Sequence, residues 1–240
     1  RNMVARIHLK IEKSKTRKMK KFVIIVFVFL CQIASAQVTR NLGDFDQVKV
    51  FDKINVKLIA ASENKIVVTG ARADELETVN KNGELKIRMP FPKLLSGEDI
   101  TVKLYFKNLE SIAVSEGSYV SSENDFKQTS LDLNAKSGGE IKLTIVVDKV
   151  SVKVNSGGIV SLFGTAENQE VVITSGGILN AKELATSQTT ISVAAGGKSE
   201  IHASILVDAK VRAGGSIFIY GKPKQINQEV FIGGTILEKN

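Results

Sequence analysis

After residue 37, apolar and polar residues alternate with period two along most of the chain, and Gly-Gly pairs interrupt the alternation. Alternation of this kind predicts β-strands with one buried face on either side of each pair. The pairs lie at 138–139, 157–158, 176–177, 196–197, 214–215 and 233–234. Aligned on the pairs, the apolar residues fall into columns, one of which is Ala135, Val154, Ile173, Val193, Val211 and Val230.

This nearly constant step predicts an all-β fold, a parallel β-solenoid with about 19 residues per rung. A unit of that length cannot enclose its own core, whereas stacked units place each apolar column above the next. An antiparallel sandwich of hairpins with Gly-Gly turns is the competing interpretation, but a sandwich has no need to keep columns in register. Glycine suits the corners because it takes a positive φ without steric cost and leaves room for the neighbouring rung.

Residues 38–110 are strand-like but lack the 19-residue step, whereas residues 111–240 carry the repetitive solenoid. We therefore expect an irregular β region or a capping sheet in the first half, since an exposed rung is a sheet edge that needs cover. A separate functional domain is the alternative for this half. The one helix-like stretch runs from Ala71 to Val79, and Asn82-Gly83 reads as a turn.

Positive charge is concentrated at the start of the chain. Residues 1–36 hold nine of the 33 Lys and Arg but one of the 25 Asp and Glu, so the rest of the chain is neutral. A basic start at Met19, an apolar run over 22–33 and the small residues 34–36 predict a signal peptide over 19–36. Residues 1–18 are interpreted as an upstream extension outside the fold.

A signal peptide implies export to the periplasm, the outer surface or the extracellular space, with no transmembrane anchor left in the mature chain. Cys31 is the only cysteine and falls inside the signal peptide, so we expect neither disulfides nor thiol chemistry after processing. A neutral mature chain also lacks the basic excess that nucleic acid requires.

Few side chains suggest chemistry, and no catalytic, cofactor-binding or metal-ligating residue is predicted. His202 is the one histidine after residue 36 and is expected to point outward into solvent. The corners lack the stacked Asp of calcium-binding solenoids, so neither a metal nor another cofactor is expected. Sugar-stacking platforms are expected to be scarce, because the chain has no Trp and its tyrosines are Tyr105, Tyr119 and Tyr220.

Asp148 and Glu167 are the candidate pair for an enzyme. Both occupy the twelfth position of their units, so stacking could bring the carboxylates near the roughly 5 Å separation of retaining glycosidases. The third unit has Thr186 at that position, and two solvated loop acids are the plainer interpretation.

With "FDQVKVFDKINVKL" near the start, the Ser-Gly-Gly corners and a closing "LVDAKVRAGGSIFIYGKPKQINQEVFIGGTI", the sequence resembles a known family over nearly all of 38–240. This is the putative auto-transporter adhesin head GIN domain family of exported Bacteroidetes proteins, formerly a domain of unknown function. The resemblance implies a right-handed β-helix-like fold and a location outside the cytoplasm. It brings no catalytic or binding residues, and the corners differ from the Ser-Gly-Ser-Gly style frequent in the family.

We therefore expect a non-enzymatic, exported, adhesin-like protein of the cell envelope. Its partner would be a protein or glycan of the surface or envelope, not a nucleic acid, and a homo-oligomer is open. A carbohydrate-active enzyme, either a polysaccharide lyase or a hydrolase on the same scaffold, is the alternative. A structural or stress-related envelope component without a small ligand is a third possibility.

Overall fold

The computed structural model describes residues 37–239, so the predicted upstream extension (1–18) and signal peptide (19–36) lie outside the described residues. The cap region contains β1 (Gln37–Asn41), β2 (Gln47–Val50), β3 (Asn55–Ala60), β4 (Lys65–Thr69), β5 (Glu77–Lys81), β6 (Glu84–Arg88) and β7 (Thr101–Phe106). The solenoid continues with β8 (Ser111–Val114), β9 (Tyr119–Ser122), β10 (Phe126–Ala135), β11 (Glu140–Val154), β12 (Ile159–Ile173), β13 (Ile178–Ala194), β14 (Lys198–Arg212), β15 (Ser216–Tyr220), β16 (Gln225–Phe231) and β17 (Thr235–Glu238).

The predicted solenoid is confirmed, with about seven turns and about 19 residues per rung. Strands β10 to β14 pair in parallel, each with the next in the chain. Strands β11 to β14 each form most of a rung, because their first and second halves belong to different walls. In β14, for example, residues 198–202 pair with β15, whereas residues 206–212 pair with β16. We call the halves that follow the Gly-Gly pairs the first wall and the other halves the second wall.

Each rung turns from the first wall to the second where two consecutive residues face outward, at 148–149, 167–168, 187–188 and 204–205. The extra exposed residue shifts the alternation by one position, which lets the strand change direction while its apolar residues stay inside. The columns predicted from the sequence are buried on the second wall as far as β14, whereas the last rung is open, with Val230 49 % exposed. In the column that ends at the exposed Gln228, the earlier members are at most 3 % exposed: Leu133, Val152, Val171, Ile191 and Ala209.

The two glycines of a corner have different roles. The first has a positive φ with open space around it, as at Gly157, where φ is 71°. The second, as at Gly158, lies against the preceding rung, so a Cβ there would be 2.4 Å from the carbonyl oxygen of Ala135. The conformational freedom and the close approach expected for the pair therefore belong to separate residues in this rung.

Strands β1 to β7 do not follow the strand order of the repetitive rungs. Strand β2 pairs in parallel with both β6 and β8, and β3 pairs in parallel with both β7 and β9, so the first rung lies between two later ones. Strands β4 and β5 then run antiparallel to β7 and β6, and β1 covers β4. One buried core extends from Phe45 to Ile219 through cap and solenoid.

The predicted helix between Ala71 and Val79 is wrong. The segment forms a single 3-10 turn, Ala73–Glu75, and then enters β5. Strand β5 pairs antiparallel with β6 across the Asn82-Gly83 turn, where both residues have a positive φ. The β-branched Thr78 and Val79 favour the strand, and pairing with the free edge of β6 outweighs the weak helical pattern.

No helix within residues 37–239 has the length and apolar character needed to cross a bilayer.

Candidate functional site

A groove of about 440 Å³ follows the bend between the two walls and crosses four neighbouring rungs, β11 to β14. We call it the corner groove. Its lining is Val146, Val147, Asp148, Thr165, Ala166, Glu167, Ala185, Thr186, Ser187, His202 and Ser204. Carboxylate, hydroxyl and imidazole groups thus share one concave surface with a few aliphatic side chains.

The structure brings Asp148 and Glu167 together on this groove. Their neighbours are paired across β11 and β12, Val147 with Ala166, so the two acids occupy equivalent positions on adjacent rungs. Adjacent strands lie about 4.8 Å apart. Both side chains are exposed.

Thr186 is not the third member of this row, contrary to the sequence-based alignment. A register shift between β12 and β13 places Thr186 opposite the buried Ala166, which puts Ser187 in line with the two acids. Thr186 instead faces inward, at 4 % exposure, and its hydroxyl donates to the backbone carbonyl of His202 at 2.7 Å. The step of 20 residues from Gly176 to Gly196 shows one extra residue in this unit, but the alignment counted forward from the preceding pair and so chose Thr186 instead of Ser187.

His202 lies on the outer side of β14, half-buried at one end of the groove. Its Nδ1 is 3.1 Å from the backbone carbonyl oxygen of Lys182 on the preceding rung. This contact orients the ring. Gly221 lies close to the ring as well, since a Cβ added to this glycine would be 2.7 Å from Nε2. Among residues 37–239, no group of three or more His, Cys, Asp or Glu is arranged to hold a metal ion.

Beside the groove, the outer surface of the first wall carries aromatic rings and lysines. We call this surface the aromatic–lysine face. It consists of Lys142, Phe163, Lys182, Lys198, Phe218, Tyr220 and Lys239. The rings are half-buried on the outside of the wall, and the four lysines are exposed.

Every lysine of this face lies over one of the rings. The ammonium of Lys182 is 4.6 Å from the centroid of Tyr220, and that of Lys142 is 5.9 Å from Phe163. Lys198 and Lys239 approach Phe218 at 5.7 and 5.4 Å. Each contact is worth about 0.5–1 kcal/mol at an exposed site, which holds the flexible lysine in place.

Sequence reasoning overlooked this face, although the alternation contains a signal for it. Leu162, Ile217 and Ile219 fall into the inward columns, so Phe163 and Phe218 between or beside them must point outward. Phenylalanine is usually assigned to the core because of its residue type, so these two rings were not recognised as outward-facing. Tyr220 is also on the outer side of its strand, opposite His202.

A second concave region, of about 470 Å³, lies in the cap. Phe51, Leu94 and Leu95 form its apolar part, beside the charged side chains of Lys86 and Arg88. The loop that carries the two leucines is fixed to the buried Asp52 by hydrogen bonds from backbone amides.

Known proteins share this architecture. The family described as "Putative auto-transporter adhesin, head GIN domain" matches residues 44–223. A putative adhesin of Bacteroides fragilis is 20 % identical, with a TM-score of 0.77 over 85 % of this chain and 97 % of its own. A putative lipid binding protein of Parabacteroides distasonis is 16 % identical, with a TM-score of 0.67 over 87 % and 98 % of the two chains.

A putative adhesin of Parabacteroides distasonis is 18 % identical, with a TM-score of 0.67 over 85 % of this chain and 96 % of its own. These likenesses show a shared fold. None of the curated proteins matches the sequence.

Proposed function

Because the chain belongs to the auto-transporter adhesin head GIN domain family, we propose that it is a non-enzymatic, adhesin-like protein that binds its partner through the aromatic–lysine face. One observation carries the proposal. Three outward rings and four exposed ammonium groups share one wall of the solenoid. Aromatic side chains with large apolar area and a cationic neighbour are typical of binding surfaces.

The scaffold suits this role because it holds the face in place before a partner arrives. Strands β12, β13 and β14 are each paired on both sides, so the backbone beneath the side chains has little freedom. A preorganised surface loses less conformational entropy on binding than a mobile loop does.

The proposal includes export, directed by the signal peptide at 19–36, to the periplasm, the outer surface or the extracellular space. In it, residues 1–18 are an upstream extension, 38–110 a cap and 111–240 the binding solenoid. The partner is a surface or envelope molecule, protein or glycan, and self-association is left open. No catalytic residue, metal or cofactor has a part in it.

The test measures retention of the purified protein on intact bacterial cells and on a panel of immobilised envelope polysaccharides. Replacing Phe163→Ser and Phe218→Ser together should weaken retention roughly tenfold, since two buried aromatic contacts are lost. The matched control replaces two exposed valines of the second wall, Val172→Ser and Val230→Ser, and should bind as the parent protein does.

Circular dichroism of each variant separates lost binding from lost folding. Retention that is equal in both double variants would contradict the proposal. So would polysaccharide turnover that disappears in Asp148→Ala and in Glu167→Ala, because that result would assign the corner groove to a glycosidase or lyase.

A further inference from the structure

We propose that the ligand of the aromatic–lysine face is an acidic polysaccharide, a glycan chain with a carboxylate on each repeating unit. This inference rests on the proposed function and specifies the ligand of the same face. It is carried by the charge of the face, by its repeat along the solenoid and by its rings.

The charge of the face is available to a ligand. Lys142, Lys182, Lys198 and Lys239 take part in none of the ion pairs among residues 37–239. Several lysines elsewhere are paired with acids, as Lys149 is with Glu170 at 2.8 Å on the second wall, whereas Lys153 on the same wall is in none of the ion pairs among residues 37–239. The four ammonium groups are instead held over rings, where an incoming carboxylate can reach them without displacing an acidic side chain.

The repeat of the face matches a polymer better than a compact ligand. Its lysines belong to β11, β13 and β14 and to the residue after β17, so they are distributed along the stacking direction. Successive rungs are about 4.8 Å apart, which spreads the cations over roughly 20–25 Å at intervals of one or two rungs. A linear chain with one charge per unit can meet several of them at once, and linked contacts raise the overall affinity.

The rings supply the second half of the recognition. Phe163 lies on the rung between those of Lys142 and Lys182, and Phe218 and Tyr220 share the rung between those of Lys198 and Lys239. Each ring is half-buried. The apolar face of a sugar ring packs against an aromatic side chain, whereas its carboxylate projects toward a neighbouring cation. Rings with cations on the neighbouring rungs therefore fit sugar rings that carry carboxylates.

The surrounding charge disfavours a nucleic acid, which also combines stacking with negative charge. Glu183 and Glu200 lie on the same wall between the lysines, so the cations are separate points in a surface of mixed sign. The chain after residue 36 is neutral overall, whereas nucleic-acid binding draws on a large basic excess. A polymer of moderate charge density is the better match.

The experiment uses polygalacturonate as the probe and its fully methyl-esterified form as the uncharged counterpart of the same backbone. Binding of the purified protein is measured by calorimetry at about 50 mM and about 300 mM salt, where screening differs strongly. We expect polygalacturonate to bind at least tenfold more tightly than its ester, with most of the difference lost at the higher salt.

Two double variants locate the site. Lys142→Gln with Lys198→Gln should weaken polygalacturonate binding roughly fivefold to tenfold, as expected for two exposed charge contacts. Lys149→Gln with Lys153→Gln removes the same charge from the second wall of one rung and should change binding less than twofold. Equal effects of the two double variants would overturn the proposal, because net charge alone would then explain binding.

Two further results would also overturn it. One is equal affinity for polygalacturonate and its ester, and the other is tighter binding of a single-stranded oligonucleotide at matched charge. If retention on cells still depends on Phe163 and Phe218 while the probe and its ester bind alike, the proposed function stands and the ligand class is wrong. If that dependence is also missing, the proposed function itself fails.

Discussion

Replacing the second glycine of a corner, Gly158→Ala, should destabilise the protein far more than replacing its neighbour, Gly157→Ala. The added methyl group at position 158 would lie 2.4 Å from the carbonyl oxygen of Ala135 and 2.6 Å from its carbonyl carbon. Nonbonded heavy atoms are comfortable at about 3.5–4 Å, so the rungs must separate locally by about 1 Å.

The backbone around Ala135 has little freedom to yield. Its carbonyl accepts a hydrogen bond from the amide of Asn155 at 3.0 Å, and the residue itself is fully buried. Overpacking costs about 1–3 kcal/mol and a weakened backbone hydrogen bond adds about 1 kcal/mol. We therefore expect Gly158→Ala to lower the free energy of unfolding by about 3–4 kcal/mol.

Gly157→Ala provides the matched control on the adjacent residue. No atom lies within 4 Å of the added methyl group, so only the positive φ of 71° opposes the change. That conformation costs an alanine about 1 kcal/mol, and the stiffer unfolded chain returns about 0.4–1 kcal/mol. The net loss should be about 0.5 kcal/mol, consistent with the alanines already present at positive φ in other corners, Ala195 and Ala213.

Guanidinium unfolding followed by far-ultraviolet circular dichroism measures both losses. The dependence on denaturant should have the same slope in both variants, since the same surface is exposed on unfolding. The reasoning is refuted if the two alanines cost equal free energy, or if Gly157→Ala costs more. Close stacking of the second glycine would then not determine the corner sequence.

Asp52→Ala should lower the free energy of unfolding by about 3 kcal/mol, because the buried carboxylate accepts the amides of Met89 and Leu95 at 2.9 Å each. Asp52→Asn should lose less, since it keeps one acceptor; equal losses in a denaturation series would contradict this. A hydrogen bond from Lys49 holds the pKa of Glu84 below its usual range, so its contribution to stability is present near neutral pH and lost as the pH falls through that lowered pKa. Glu84→Gln should remove this part of the acid dependence of the melting temperature, and an unchanged profile would show that the pair does not stabilise the fold.

The fold was predictable to the extent that it repeats. The inward columns and the corner positions follow from the spacing of the Gly-Gly pairs, because every rung must pack on the rung before it. The arrangement of the cap strands cannot be predicted in this way. Strands β6 and β7 add to the far side of β2 and β3, so their order in space is not their order in the chain. Strand β5 forms because it pairs with the free edge of β6, although its sequence is part of a locally helix-like stretch.

The candidate site was only half predictable. Asp148 and Glu167 are neighbours as their spacing indicated, since no bulge separates β11 from β12. The bulge between β12 and β13 then places Ser187 instead of Thr186 in the same row. The 20-residue step between Gly176 and Gly196 reveals the extra residue but not its position within the unit. Burial of Thr186 with its hydroxyl bonded to a carbonyl explains why the chain tolerates the shift.

In a repeat protein the residue types on the outer face can vary from rung to rung. The inward residues therefore indicate the fold, whereas the outward residues indicate the function. An inward residue must pack on the rungs above and below, so the inward columns are mostly apolar, with Gln169, Thr189 and Ser199 as buried polar members. An outward column has no such restriction, and one of them contains Lys142, Ser161, Asn180, Glu200 and Phe218. The sequence repeat is recognisable from the inward columns, which keep their residue type, and it carries no information about the outward columns, which do not. Binding groups on a solenoid must therefore be sought across rungs over all outward positions of one wall, which is how Phe218 and the two lysines over it, Lys198 and Lys239, become parts of a single face.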